Sequence, residues 1–226
     1  RNLLSSVSKR TLRVTSRLST GQGGAEALPF TLRVISIESE PSAVAAVLPF
    51  DPKEALKNAV VLGRLHPTTG KSEILAVEGV KHPMLQEIGL ADANAFIPEF
   101  PARPLKVGDT FENSTTREIP IERLGPMAQL PAGSKATVTR TTTYRLEAIE
   151  GNQASFEVKR RMTIRSEGKE LSGKGEGTGS ARFDLARGIF SDVSQANRLE
   201  LTLTRPGSPP QRIAIDAATA SRIEQE

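Results

Sequence analysis

Residues 171–185 read Leu-Ser-Gly-Lys-Gly-Glu-Gly-Thr-Gly-Ser-Ala-Arg-Phe-Asp-Leu, with four glycines inside seven positions. Such a density raises the question of a phosphate cradle. A P-loop needs G-x-x-x-x-G-K-[ST], so that the lysine follows the loop and the hydroxyl reaches a metal. Lys174 instead lies between glycines, and no glycine precedes a Gly-Lys-Ser/Thr at the required spacing. The dinucleotide spacing G-x-G-x-x-G, followed by a helix, is missed as well. The segment obeys period two. Leu171, Gly173, Gly175, Gly177, Gly179, Ala181, Phe183 and Leu185 alternate with Ser172, Lys174, Glu176, Thr178, Ser180, Arg182 and Asp184. Successive side chains of a strand point to opposite faces, so this predicts one long strand with a wet face and a nearly bare one.

A bare face has a physical cost. Each interior glycine weakens a strand by roughly 0.5–1 kcal/mol relative to alanine. The glycines therefore mark a bend, a bulge, a neighbouring element packed close to the backbone, or a groove left open for an apolar ligand. The last option makes Gly173, Gly175, Gly177 and Gly179 candidate ligand-binding positions, together with Phe156 and Met162 of the preceding strand. In that strand Ala154, Phe156, Val158, Met162 and Ile164 share a face, interrupted by Arg160.

The remaining composition limits the chemistry. With 37% hydrophobic residues, eight Phe, one Tyr and no Trp, the core is expected to rest mostly on Leu, Ile, Val and Ala. The absence of Cys excludes disulfides, thiol catalysis and cysteine-ligated metals. His66 and His82 each precede a proline and read as turn residues, so no metal site and no cofactor are expected. The net charge of +4 and pI near 9.6 are compatible with nucleic acid. However, bases alternate with acids and hydroxyls along strands, and stacking aromatics are scarce, so nucleic acid is not an expected partner. Lys159-Arg160-Arg161 reads as a solvated face, with Arg160 turned opposite its neighbours. No apolar run approaches the length of a transmembrane segment.

Elsewhere the pattern is again mostly alternation. Leu12 to Leu18 and Phe30 to Glu38 predict a hairpin with a long connection through Gly21-Gln22-Gly23-Gly24. Asp51-Pro52-Lys53-Glu54 is a helix-start signal, with Gly63 and Pro67 expected to cut the helix short. Ser72 to Glu78 predicts a strand, and Pro83 to Ala93 a second helix. Pro98 to Pro104 is too proline-rich for regular structure and marks the expected border between two halves, 1–98 and 104–226, of one β-rich domain. Thr137 to Ile149 and Gln153 to Arg165 flank the hairpin turn Glu150-Gly151-Asn152. The glycine strand, a strand near Gly188 to Val193, then Asn197 to Arg205 and Gln211 to Ile215 continue an antiparallel meander. Asp216 is expected to cap a last helix over Ala217 to Glu224. The resulting fold class is mainly β (α+β), a curved antiparallel sheet or half-barrel with two or three short helices.

The order of Thr69-Gly70-Lys71-Ser72-Glu73-Ile74, then Phe100-Pro101-Ala102-Arg103-Pro104-Leu105-Lys106-Val107-Gly108-Asp109-Thr110-Phe111, a long hairpin, and Gly177-Thr178-Gly179-Ser180-Ala181-Arg182-Phe183 has a family look. It resembles a group of uncharacterised bacterial exported proteins with a proline-flanked GDT[WF] turn, themselves loosely similar to half-barrel lipoprotein carriers. Phe111 stands where that group usually has Trp. The resemblance covers about residues 60–205 and implies an extracytoplasmic, periplasmic or extracellular location and a curved antiparallel sheet. It implies no catalytic residues. The chain begins at Arg1 rather than Met. An N-terminal segment, removed or omitted, is therefore expected to precede it, and a signal peptide would fit.

No enzyme signature emerges. The G-x-S-x-G elbow is missing, and Asp109, Asp184 and Asp192 occupy turns, where aspartate commonly bonds its own backbone. A non-enzymatic protein is expected, with an apolar small molecule or lipid in the concave face of the sheet. The alternative is an envelope protein-interaction or scaffold module with no small-molecule ligand.

Overall fold

A computed structural model describes residues 7–20, 27–39, 54, 56–66, 71–80, 99–120, 134–168, 170–186, 188–204 and 209–224. Ten strands occupy most of them. They are β1 Val7–Thr20, β2 Leu28–Ser39, β3 Val60–His66, β4 Lys71–Glu78 and β5 Thr110–Pro120. The second group is β6 Lys135–Glu150, β7 Gln153–Ser166, β8 Leu171–Asp184, β9 Ile189–Leu203 and β10 Gln211–Glu224. All belong to one sheet in the order β4-β3-β2-β1-β10-β9-β8-β7-β6-β5.

The class is mainly β, as the alternating sequence implies. Every ladder is antiparallel except that joining β1 to β10, which runs parallel. A meander β5 to β10 and a second meander β1 to β4 thus meet along the strands nearest the two ends of the chain. The hairpin turn at Glu150-Gly151-Asn152 forms as its sequence suggests, with Gly151 at φ 57°, the left-handed conformation glycine accepts most readily.

Three expectations need correction. Ala217 to Glu224 is not a helix but the second half of β10, whose residues 211–222 pair with β9 without a break. Small residues in Ala217-Ala218-Thr219-Ala220 mimic a helical pattern, yet partners on both sides impose the extended form. The two strands expected around residues 188–205 are one, β9. Gly63 does not end a helix, because Val60–His66 is a strand; a side chain there would strike the Phe30 ring and the Glu73 carbonyl. The helix from Asp51 lies largely, and that from Pro83 to Ala93 wholly, outside the described residues.

The sheet curls without closing. Phe30, Leu32 and Val61 belong to one buried cluster with Phe111, Tyr144, Leu146, Phe156 and Phe190. In a flat sheet β3 and β6 would stand about 34 Å apart, at roughly 4.8 Å per strand. Their shared core requires the sheet to bend over on itself. β4 and β5 are its two ends, and no ladder joins them among the described residues.

The core is also more aromatic than composition suggests. Phe100, Phe111, Tyr144, Phe156, Phe183 and Phe190 form one connected group of rings, with centroids 4.7 to 6.4 Å apart. The Gly-Asp-Thr-Phe turn places Phe111 there. Gly108 donates its N–H to the Leu146 carbonyl (2.8 Å), and Leu146 donates to the Asp109 carbonyl (3.0 Å). Phe111 then stacks on Tyr144 at 4.9 Å. The irregular stretch after Pro98 is no bare linker. Asn113 clamps Glu99 by two hydrogen bonds, of 3.0 and 2.8 Å, and Phe100 lies on Phe183 at 4.7 Å.

Candidate functional site

The β8 glycines lie between two strands of their own sheet. Gly173 pairs with Ile164 and Leu201, Gly175 with Met162 and Leu199, Gly177 with Arg160 and Asn197, and Gly179 with Val158 and Gln195. A Cβ on Gly173 would come within 2.7 Å of Leu201 Cδ2, and one on Gly175 within 3.2 Å of Met162 Cε. A Cβ on Gly177 would strike the Asn197 amide, and one on Gly179 the Ser194 carbonyl oxygen. The glycines thus let β7 and β9 side chains lean over β8. Neighbours in the same sheet fill much of the space left by the bare face.

The face bearing these glycines, here the inner face, varies along its length. At one end lies the aromatic cluster. At the other, Ala136, Ile164, Leu171, Leu201 and Leu203 are buried together, with Val138, Met162 and Leu199 packed against them and only partly buried. Phe156 is 3% exposed and belongs to the aromatic end, whereas Met162 borders the other cluster. Six residues of strand, roughly 20 Å, separate them. The structure therefore places the candidate residues on one face but does not gather Phe156 with Met162.

Between the clusters runs a polar belt. Its rows are Tyr144–Val158–Gly179–Gln195, Thr142–Arg160–Gly177–Asn197 and Arg140–Met162–Gly175–Leu199, each read across β6 to β9. Thr142 and Gln195 are buried, and Arg160, Asn197, Met162 and Leu199 are half-buried. Burial pushes the Tyr144 phenol above its ordinary value, while the nearby Arg160 and Arg140 charges oppose that rise. The Arg160 Nε is buried and has no hydrogen-bond partner. Arg160 is turned opposite the exposed Lys159 and Arg161, as the alternation implies, and is half-buried there.

Charge divides sharply between the faces. The outer face pairs its ions: Arg145 with Glu147 (2.7 Å) and Glu157 (3.0 Å), Lys159 with Glu157 (3.2 Å), and Lys135 with Glu118 (3.2 Å). Hydrogen bonding to Lys159, then to Arg145, holds the Glu157 carboxyl below its usual range. At the inner positions of β5 to β9 the charged residues are Arg117, Arg140 and Arg160, with no Asp or Glu. The period-two pattern and the Glu150-Gly151-Asn152 turn carry this signal, but it appears only once charges are sorted by face.

A second feature is a shallow depression of about 780 Å³ bordered by the charged side chains of Lys159, Arg161, Arg198, Glu176 and Asp216, with Arg160, Gly177 and Asn197 also in its lining. The five charged side chains alternate to the face opposite the glycines. Asp192 is not in a turn but within β9, paired with Arg182 and Arg222, whereas Asp184 and Asp109 have the local roles their positions suggest. Asp184 Oδ1 accepts the Ala186 N–H at 3.0 Å, and Asp109 Oδ2 accepts from Arg103 at 2.6 Å and from the Lys106 N–H at 3.0 Å. Among the described residues no three of His, Cys, Asp and Glu converge as a metal site, and no helix is long and apolar enough to cross a membrane.

No protein-family model, no curated protein and no solved structure matches the chain.

Proposed function

We propose that this protein is a non-enzymatic, extracytoplasmic carrier that holds an apolar, lipid-like molecule on the inner face of its curled sheet. The supporting observation is the half-buried apolar row of Met162 and Leu199, which lies between the buried ends of the inner face. Apolar surface left partly in water inside a curve gains by covering it, at about 25 cal/mol per Å². An extracytoplasmic site of action rests on the family resemblance. The test is mass spectrometry of an organic extract of the native protein, with titration of an uncharged apolar fluorophore. A bound lipid, or saturable probe binding, is expected. A clean extract together with no probe binding would contradict the carrier.

A second reading is an envelope-interaction module without a small-molecule ligand. The charged depression around Lys159, Arg161, Arg198, Glu176 and Asp216 favours it. Reversing Arg161 and Arg198 to Glu would abolish capture of an envelope partner in that case. The same variant leaves apolar-probe binding unchanged if the carrier reading holds.

A further inference from the structure

We infer that the molecule held on the inner face carries an acidic head group, a carboxylate on a single acyl chain, which Arg160 receives. This rests on the carrier reading and adds the chemical class of the ligand.

The inner side chains of β5 to β9 include arginine at three positions and no acid, whereas the outer face of the same strands bears both signs, with Glu157 paired to Arg145 and Lys159. A buried guanidinium nitrogen without an acceptor is costly to desolvate, and such groups ordinarily find an oxygen. Arg160 has that unsatisfied, buried Nε. Its row sets Gly177 beside it and Asn197 beyond, and Gly177 leaves room for the Asn197 amide, a further hydrogen-bonding group, to fold over β8.

The next row supplies the complementary part. Met162 and Leu199 lie immediately along the face from Arg160 and Asn197, followed by Ile164 and Leu201. A molecule reaching from the belt towards this cluster would present a polar end to Arg160 and Asn197 and an apolar body to Met162 and Leu199. The guanidinium fork matches a carboxylate in shape and charge. A fatty acid is the simplest ligand with both parts.

The experiment is displacement of an uncharged apolar fluorophore from the full chain by dodecanoate, dodecyl phosphate and dodecanol. Wild type, Arg160→Met and Arg160→Lys are compared. Dodecanoate is expected to outcompete dodecanol by about tenfold, the scale of a charge-assisted hydrogen bond. Arg160→Met is expected to erase that preference and Arg160→Lys to restore part of it. Arg160→Met should not lower the melting temperature, since replacing a half-buried, unsatisfied charge by an apolar group of similar length is neutral or stabilising. Should that variant fail to fold, the wild-type preference alone decides. Equal competition by dodecanol, or an unchanged preference in a folded Arg160→Met, would overturn the acidic head group while leaving the carrier intact. Stronger competition by dodecyl phosphate than by dodecanoate would overturn the carboxylate. Failure of the fluorophore and all three amphiphiles to bind would remove the carrier itself.

Discussion

At the scale of single residues, position along the glycine strand decides what an added methyl group meets. Gly179 abuts the Ser194 backbone carbonyl, which cannot yield without moving β9. Gly175 meets Met162 Cε at 3.2 Å and Cβ at 3.3 Å and the Arg198 carbonyl at 3.4 Å from the ideal Cβ, contacts that a shift of a few tenths of an ångström relieves. Gly179→Ala should therefore destabilise by about 1–3 kcal/mol through overpacking. Gly175→Ala should fall within about 0.5 kcal/mol of wild type, because lower chain entropy offsets the small clash. Chemical denaturation of both variants checks the order, and equal losses would refute it. Asp109 gives a pH signature. Its side-chain hydrogen bond with Arg103, then the Lys106 N–H, hold its carboxyl below the ordinary 3.8. A lowered folded value makes its contribution present above 3.8 and lost as pH falls through the folded value. Asp109→Asn should thus lower the melting temperature at pH 7, with the gap to wild type closing on acidification below that range. A gap independent of pH would show that the charge is immaterial.

At the scale of elements, strands were legible wherever alternation met a turn with its own chemistry. The Glu150-Gly151-Asn152 hairpin and the glycine strand are the clearest cases, since each pattern holds for more than a dozen residues. Val60–His66 was not legible, because an apolar run with one glycine fits a helix end as well as a short buried strand. Ala217-Ala218-Thr219-Ala220 misled for the opposite reason: small residues favour helix locally, whereas β9 and β1 complete their hydrogen bonds in the sheet. The candidate site was half legible. The bare face and Met162 were visible in the alternation, but the bare face's filling by Leu201 and Asn197 depends on register, which one strand alone does not carry. Phe156 shares the face with Met162, but alternation does not reveal distance along a strand; it packs edge-on to Phe190 at 5.7 Å. Phe190 is fully buried, so Phe190→Ala should cost about 3–5 kcal/mol by equilibrium unfolding. A loss below about 1 kcal/mol would mean that the ring group is not a core.

At the scale of the whole molecule, the parallel β1/β10 ladder and the cluster joining Phe30 to Phe190 make the two meanders one curled sheet. Calorimetry should then show a single transition, and Phe30→Ala and Phe190→Ala should both lower it. Two transitions, each answering to one substitution, would separate the meanders. The curl leaves a half-buried band between two buried ends, edged by an arginine whose Nε lacks an acceptor. Amide hydrogen exchange with and without dodecanoate tests the resulting site most directly. Slowed exchange confined to residues 158–164 of β7, 173–179 of β8 and 195–201 of β9 is predicted. Protection confined to other strands, or no change at saturating ligand, would contradict a binding site at this part of the sheet.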